Sequence, residues 1–84
     1  MGEALHITIY TREGTMLDSD VVNVSSFNDQ GPFDVLKQHA RFISIIKNRL
    51  MVRFAGGATN SIPVDNGIMR VRENKIEVYL GIKH

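Results

Sequence analysis

Few residues in this chain have the types and spacing that chemistry requires. His39 stands in a Gln38-His39-Ala40 step between two apolar runs, with Asp34 upstream and Asp65 far downstream. A histidine acting as general base needs a nucleophile or an orienting carboxylate within hydrogen-bond reach, and no Cys, Ser or carboxylate stands at such a spacing. Its ring reads instead as a hydrogen-bonding bridge in a turn. Asp18 and Asp20 suggest a metal loop, yet the glycine and distant glutamate of a calcium loop are absent. Gly56-Gly57-Ala58 is followed by neither lysine nor helix, so it reads as a hairpin tip and not a phosphate cradle. Arg41, Arg49, Arg53, Arg70 and Arg72, with Phe42 or Tyr79 as stacking platforms, outline a small nucleic-acid-binding β-barrel. They form no recognised aromatic motif. The net charge of +1 and pI of 8.2 also fall short of the pI above ~9 usual for such domains. No catalytic residue, cofactor or metal ion is expected.

The elements that would position these residues fit one domain over residues 1–84, which at this length buries roughly 60–65% of its unfolded surface. At 43% hydrophobic and 23% charged residues the composition is that of a globular protein. With no cysteine there is no disulfide or thiolate metal site. The longest apolar runs fall far short of the ~20 residues of a membrane-spanning helix. Met1-Gly2-Glu3-Ala4 has none of the features of a signal peptide. A cytoplasmic location is the expectation.

Leu5 to Tyr10 alternates as a half-buried strand, with His6 on its solvent side. Arg12-Glu13-Gly14 turns into a short return over Thr15-Met16-Leu17. Asp18-Ser19-Asp20 is expected to turn again, leading into a strand on which Val22, Val24 and Ser26 share a face. Phe27 to Pro32 is a loop on the strength of its Asn, Asp, Gly and Pro. The densest apolar block, Phe33 to Ile46, is ambiguous between one helix and two short strands joined at Lys37-Gln38-His39. Lys47-Asn48-Arg49 reads as a turn, Leu50 to Phe54 as a strand, and Ile62-Pro63-Val64 as an edge strand or bulge. Asp65-Asn66-Gly67 reads as a glycine-assisted turn. Ile68 to Arg72 and Lys75 to Leu80 pair across Glu73-Asn74, with Ile76, Val78 and Leu80 inward.

The ordered set of these features resembles the F-type ATP synthase epsilon subunit. It comprises Leu5 to Ile9, an acidic Gly turn before Phe33, Leu36 to Ala40 with its His-Ala step, Leu50 to Arg53, Ile62 to Gly67, and Lys75 to Leu80. The likeness covers roughly Leu5 to Leu80 and implies an all-β domain, a β-sandwich or flattened barrel of about 8–10 short strands. It resolves the Phe33 to Ile46 ambiguity toward strands. It implies a non-catalytic central-stalk subunit that couples proton or sodium-ion translocation to ATP synthesis or hydrolysis, at the cytoplasmic face of the membrane. Thr11, His39 and Ser44 match positions that contact the gamma subunit, and Asp29, Gln30, Gly31 and Pro32 match the loop that faces the c-ring. Pro32, Lys37 and Arg41 depart from the family pattern. Family members often continue into a helical hairpin that restrains rotation. This chain ends at Gly81-Ile82-Lys83-His84 where that hairpin begins, so no braking role is expected of these residues.

Overall fold

A computed structural model describes residues 5–35 and 41–81. Among these residues seven strands form one continuous hydrogen-bonded sheet: β1 (Leu5–Thr11), β2 (Gly14–Val21), β3 (Asn23–Asn28), β4 (Gly31–Val35), β5 (Arg41–Arg53), β6 (Thr59–Arg72) and β7 (Lys75–Leu80). Their order across it is β2-β1-β7-β6-β5-β3-β4. The all-β expectation holds. The strands are fewer and longer than expected because β5 and β6 continue through both segments that read as turns.

Those segments are bulges. Ile46 pairs with Gly67 and Asn48 with Val64, so Lys47 alone stands opposite Asp65 and Asn66. Two residues against one bend a strand and increase its twist. The extra residue also switches the inward positions of β6 from Ile62 and Val64 to Gly67, Met69 and Val71. Asn48 accepts the left-handed backbone this needs, at φ 72°, a conformation in which Asn is enriched. A second irregularity between β3 and β5 lies at the same place. There the buried Ser26 hydroxyl donates 2.9 Å to the Arg49 carbonyl, supplying a partner where the ladder is interrupted.

Beyond the bulges the sheet divides into two layers around one core. The first consists of β2, β1, β7 and the far halves of β6 and β5, and contributes Leu5, Ile7, Ile9, Ile76, Val78, Met69 and Val71. The second consists of β4, β3 and the remaining halves of β5 and β6, and contributes Val24, Val35, Leu50, Val52 and Val64. Each such side chain stabilises the fold by about 1.5–3 kcal/mol relative to exposure. Phe33 and Phe42 meet edge to face, with centroids 6.2 Å apart, joining β4 to β5.

Two shorter readings are corrected. Asp18-Ser19-Asp20 does not turn but continues β2 in register with Thr8, Ile7 and His6 of β1. Val22 does not share a face with Val24 and Ser26. It occupies the bend between β2 and β3, where its amide donates 2.9 Å to the Arg53 carbonyl and its side chain is exposed. The hairpin at Gly56-Gly57 is as expected, closed by Phe54 and Ala58, which hydrogen-bond at 2.8 Å.

Candidate interaction surface

The register of the first layer places its outward side chains in three rows. Tyr10, Tyr79, Ile68 and Ile45 form one row. Thr8, Glu77, Arg70 and Ile43 form the next, flanked by Asp18 of β2. His6, Lys75, Arg72 and Arg41 form the third, flanked by Asp20. The first row is apolar on a face that meets solvent. In it Ile45 is 70% exposed and Tyr79 stacks on Tyr10 with centroids 5.0 Å apart, and beside it Ile43 of the next row is 71% exposed. A strand apolar on both faces is ordinarily covered on both. The run Phe42-Ile43-Ser44-Ile45-Ile46 carried that signal, but without the register its outward half could not be told from its inward half.

The matched partner positions are distributed as follows. Ser44 is on the inward side of β5, opposite Met69; its hydroxyl accepts from the Asn28 amide at 3.4 Å and donates to the Ile45 carbonyl at 3.2 Å. Through Asn28 it adjoins the β3–β4 hairpin, whose tip is Asp29-Gln30. That tip is held by the Gln30 amide on the Asn28 carboxamide at 2.9 Å and by Lys47 on Asp29 at 3.1 Å. The Asp29 side chain is 97% exposed. Gly31 takes φ 114° as the hairpin closes, and Pro32 stands on the edge strand β4, where its missing donor costs nothing to an inner ladder. Ser44 and the Asp29 to Pro32 loop are thus brought together. Thr11 is not with them. It ends β1, three strands from β5 across the sheet, and its hydroxyl accepts from the Glu13 amide and donates to the Gly14 carbonyl, both at 3.2 Å. His39 and Lys37 lie outside the described residues.

The arginines do not form one basic face. Arg41, Arg70 and Arg72 point out from the first layer, whereas Arg49 and Arg53 lie on the second-layer half of β5. Arg41 pairs with Glu73 at 3.2 Å and Arg70 with Glu77 at 3.8 Å. Phe42 packs against the core, and Tyr79 is engaged by Tyr10, so neither is an open stacking platform. Among the described residues no group of three His, Cys, Asp or Glu side chains could hold a metal ion.

His6 is on the solvent side of β1, as expected, but it is not idle. Its Nδ1 lies 2.7 Å from an Asp20 oxygen and its Nε2 lies 2.5 Å from one of Asp18. Ionised carboxylates only accept, so both bonds form only when both ring nitrogens carry protons. The hydrogen bonds to Asp20 and then Asp18 raise the histidine pKa above 6.5. A raised folded-state pKa contributes stability that is fully present below the unfolded value and is lost as pH rises through the folded one. The expected outcome is a melting-temperature advantage of the native protein over His6→Gln that is greatest near pH ~6 and shrinks toward pH ~8.5. It should be small, since the ring is 44% exposed. An advantage that grows with pH contradicts the double clamp.

Residues 4–80 match the family described as "ATP synthase, Delta/Epsilon chain, beta-sandwich domain". The chain belongs to this family. Among its relatives is the ATP synthase epsilon chain of Nitratidesulfovibrio vulgaris (strain DSM 19637 / Miyazaki F), 32% identical over 78 residues, which are 93% of this chain and 58% of the relative. That of Campylobacter fetus subsp. fetus (strain 82-40) is 29% identical over 75 residues, 88% of this chain and 58% of the relative. The chain therefore spans little more than half the length of the curated relatives it matches. A chain in the cryo-EM structure of the Euglena gracilis mitochondrial ATP synthase, OSCP/F1/c-ring in rotational state 1, superposes with a TM-score of 0.85 at 16% identity. The match covers 92% of this chain and 50% of that one. At that identity it is the fold alone that is shared.

Proposed function

We propose that this epsilon-family domain is a non-catalytic central-stalk element of an F-type ATP synthase, at the cytoplasmic face of the membrane. It docks on the gamma subunit, faces the c-ring, and thereby helps couple ion translocation to ATP synthesis or hydrolysis. The observation that carries this is the apolar row Tyr10, Tyr79, Ile68 and Ile45 with Ile43 beside it, on the open side of a sheet whose other side already holds the core. Two exposed isoleucines side by side on a strand are what a partner covers, and a specific interface of about 1,200–2,000 Å² in total needs such an apolar centre. The gamma subunit is assigned to this face, with Thr11 at the far end of the row; Ser44, whose side chain is on the inward side of β5, and His39 are assigned to gamma by their sequence match alone. The hairpin Asp29-Gln30-Gly31-Pro32, with its exposed carboxylate, is assigned to the polar loops of the c-ring. Such a role needs surface complementarity and no proton transfer by its own side chains.

Mixing with the cognate gamma subunit tests the assignment. Co-elution on a sizing column is expected, and Ile43→Asp/Ile45→Asp should weaken it by at least ~100-fold, because two carboxylates would be desolvated without partners. The far-ultraviolet circular dichroism spectrum should stay that of a β protein, since both side chains already meet water. Undiminished co-elution of that variant refutes the assignment of this face.

A further inference from the structure

The third outward row poses a question that the apolar row does not answer. Arg41, Arg72 and Lys75 are directly opposite one another on β5, β6 and β7. Like charges directly opposed across strands are destabilising, with Cβ atoms only about 4.5–5.5 Å apart. At its other end the row resolves its charge internally, because His6 meets Asp20. At this end only Arg41 is matched, by Glu73 beyond the strand end. Among the described residues neither Arg72 nor Lys75 has a carboxylate within ion-pair distance. An open depression lined by Arg41, Ile43, Arg70 and Arg72 sits beside them.

We propose that the protein docked on the apolar row carries an acidic segment that lies along Arg41, Arg72 and Lys75. The inference rests on the gamma-docking reading and adds the chemistry of the docked surface. Two row steps separate the basic row from the apolar one, four residues along a strand, or ~13 Å. The partner surface therefore has an apolar ridge with carboxylates displaced from it by that distance toward the strand ends at Arg72 and Lys75. The asymmetry allows one orientation, because turning the partner end for end would bring its carboxylates over Tyr10, Tyr79 and Ile45. Charge placed in this way acts mainly on association rate and orientation, while the apolar ridge sets the lifetime of the complex.

Association with the gamma subunit, followed by stopped flow or surface plasmon resonance across a range of salt, decides the matter. For the native protein the on-rate should fall as salt rises. For Arg72→Glu/Lys75→Glu it should be about 10-fold lower at low salt and nearly independent of salt, with the off-rate little changed. An on-rate and salt dependence equal to those of the native protein overturns the proposal while leaving the docking reading intact. Failure of the native protein to bind gamma at all overturns both. Retention of single-stranded DNA that the double reversal abolishes, with gamma association untouched, also overturns it in favour of a polyphosphate ligand. Both substituted residues are exposed, so the β spectrum should be preserved.

Discussion

Gly67→Val is expected to lower the melting temperature by roughly 12–24 °C or to prevent folding. A Cβ at Gly67 would lie 2.8 Å from the Tyr79 carbonyl oxygen and 3.0 Å from Leu80 Cδ2. The first of these is backbone of the neighbouring strand and cannot swing aside. Gly67 is paired with Leu80 on β7 and with Ile46 on β5 at the bulge, so any shift that relieves the clash pulls on both ladders. Overpacking of a rigid site costs about 1–3 kcal/mol and more where backbone must move, and ~3 kcal/mol translates into a shift of that size for a domain this small. Thermal unfolding followed by circular dichroism measures it. A valine variant melting within a few degrees of the native protein would show that the sheet is looser here than the contact distances imply.

The second large effect is Leu50→Ala. Leu50 is fully buried and is the first inward side chain of β5 beyond the bulge, in a cluster with Ile46, Val52 and Val64. Truncating a buried leucine removes transfer free energy and leaves a cavity, together about 2–5 kcal/mol. A domain of 84 residues has a total stability of roughly 4–13 kcal/mol, so this one change removes a large share of it. Urea unfolding should show the midpoint moving to lower denaturant with an unchanged slope. A change below ~1 kcal/mol would mean that the two layers can close over the gap.

The strands that were legible in the sequence are those whose alternation is strict. Leu5, Ile7 and Ile9 on β1 and Ile76 and Val78 on β7 are inward as read, because one face of each is core and the other polar. The turns at Arg12-Glu13, Gly56-Gly57 and Glu73-Asn74 were equally plain, whereas Phe27 to Pro32, read as a loop throughout, is strand except at Asp29 and Gln30, because its turn-favouring residues also tolerate the paired ends of a tight hairpin. Lys47-Asn48-Arg49 and Asp65-Asn66-Gly67 misled for a specific reason. Residues that suit a turn, an Asn able to go left-handed and a Gly without a side chain, are the same that suit a bulge, and only the facing strand decides between them. The clamp on His6 was hidden because its two aspartates are on another strand, and their spacing of two, which suggested a metal loop, reflects only their common side of β2. The exposed apolar row was hidden differently. Ile43 and Ile45 stand in the densest apolar block of the chain, and no local property distinguishes an isoleucine buried in the core from one that meets solvent.

The parallel pairing of β1 with β7, His6 beside Lys75 through Tyr10 beside Tyr79, has a consequence for biosynthesis. Strand β1 acquires this neighbour only once residues 75–80 have been made, since of its two neighbours β2 alone is made soon after it. Until then the nascent chain holds Leu5, Ile7 and Ile9 on an uncovered ribbon. A two-stranded hairpin is marginal by itself, so this layer of the domain closes in a late step, and chaperone engagement should persist on the ribosome until residues 75–80 have emerged.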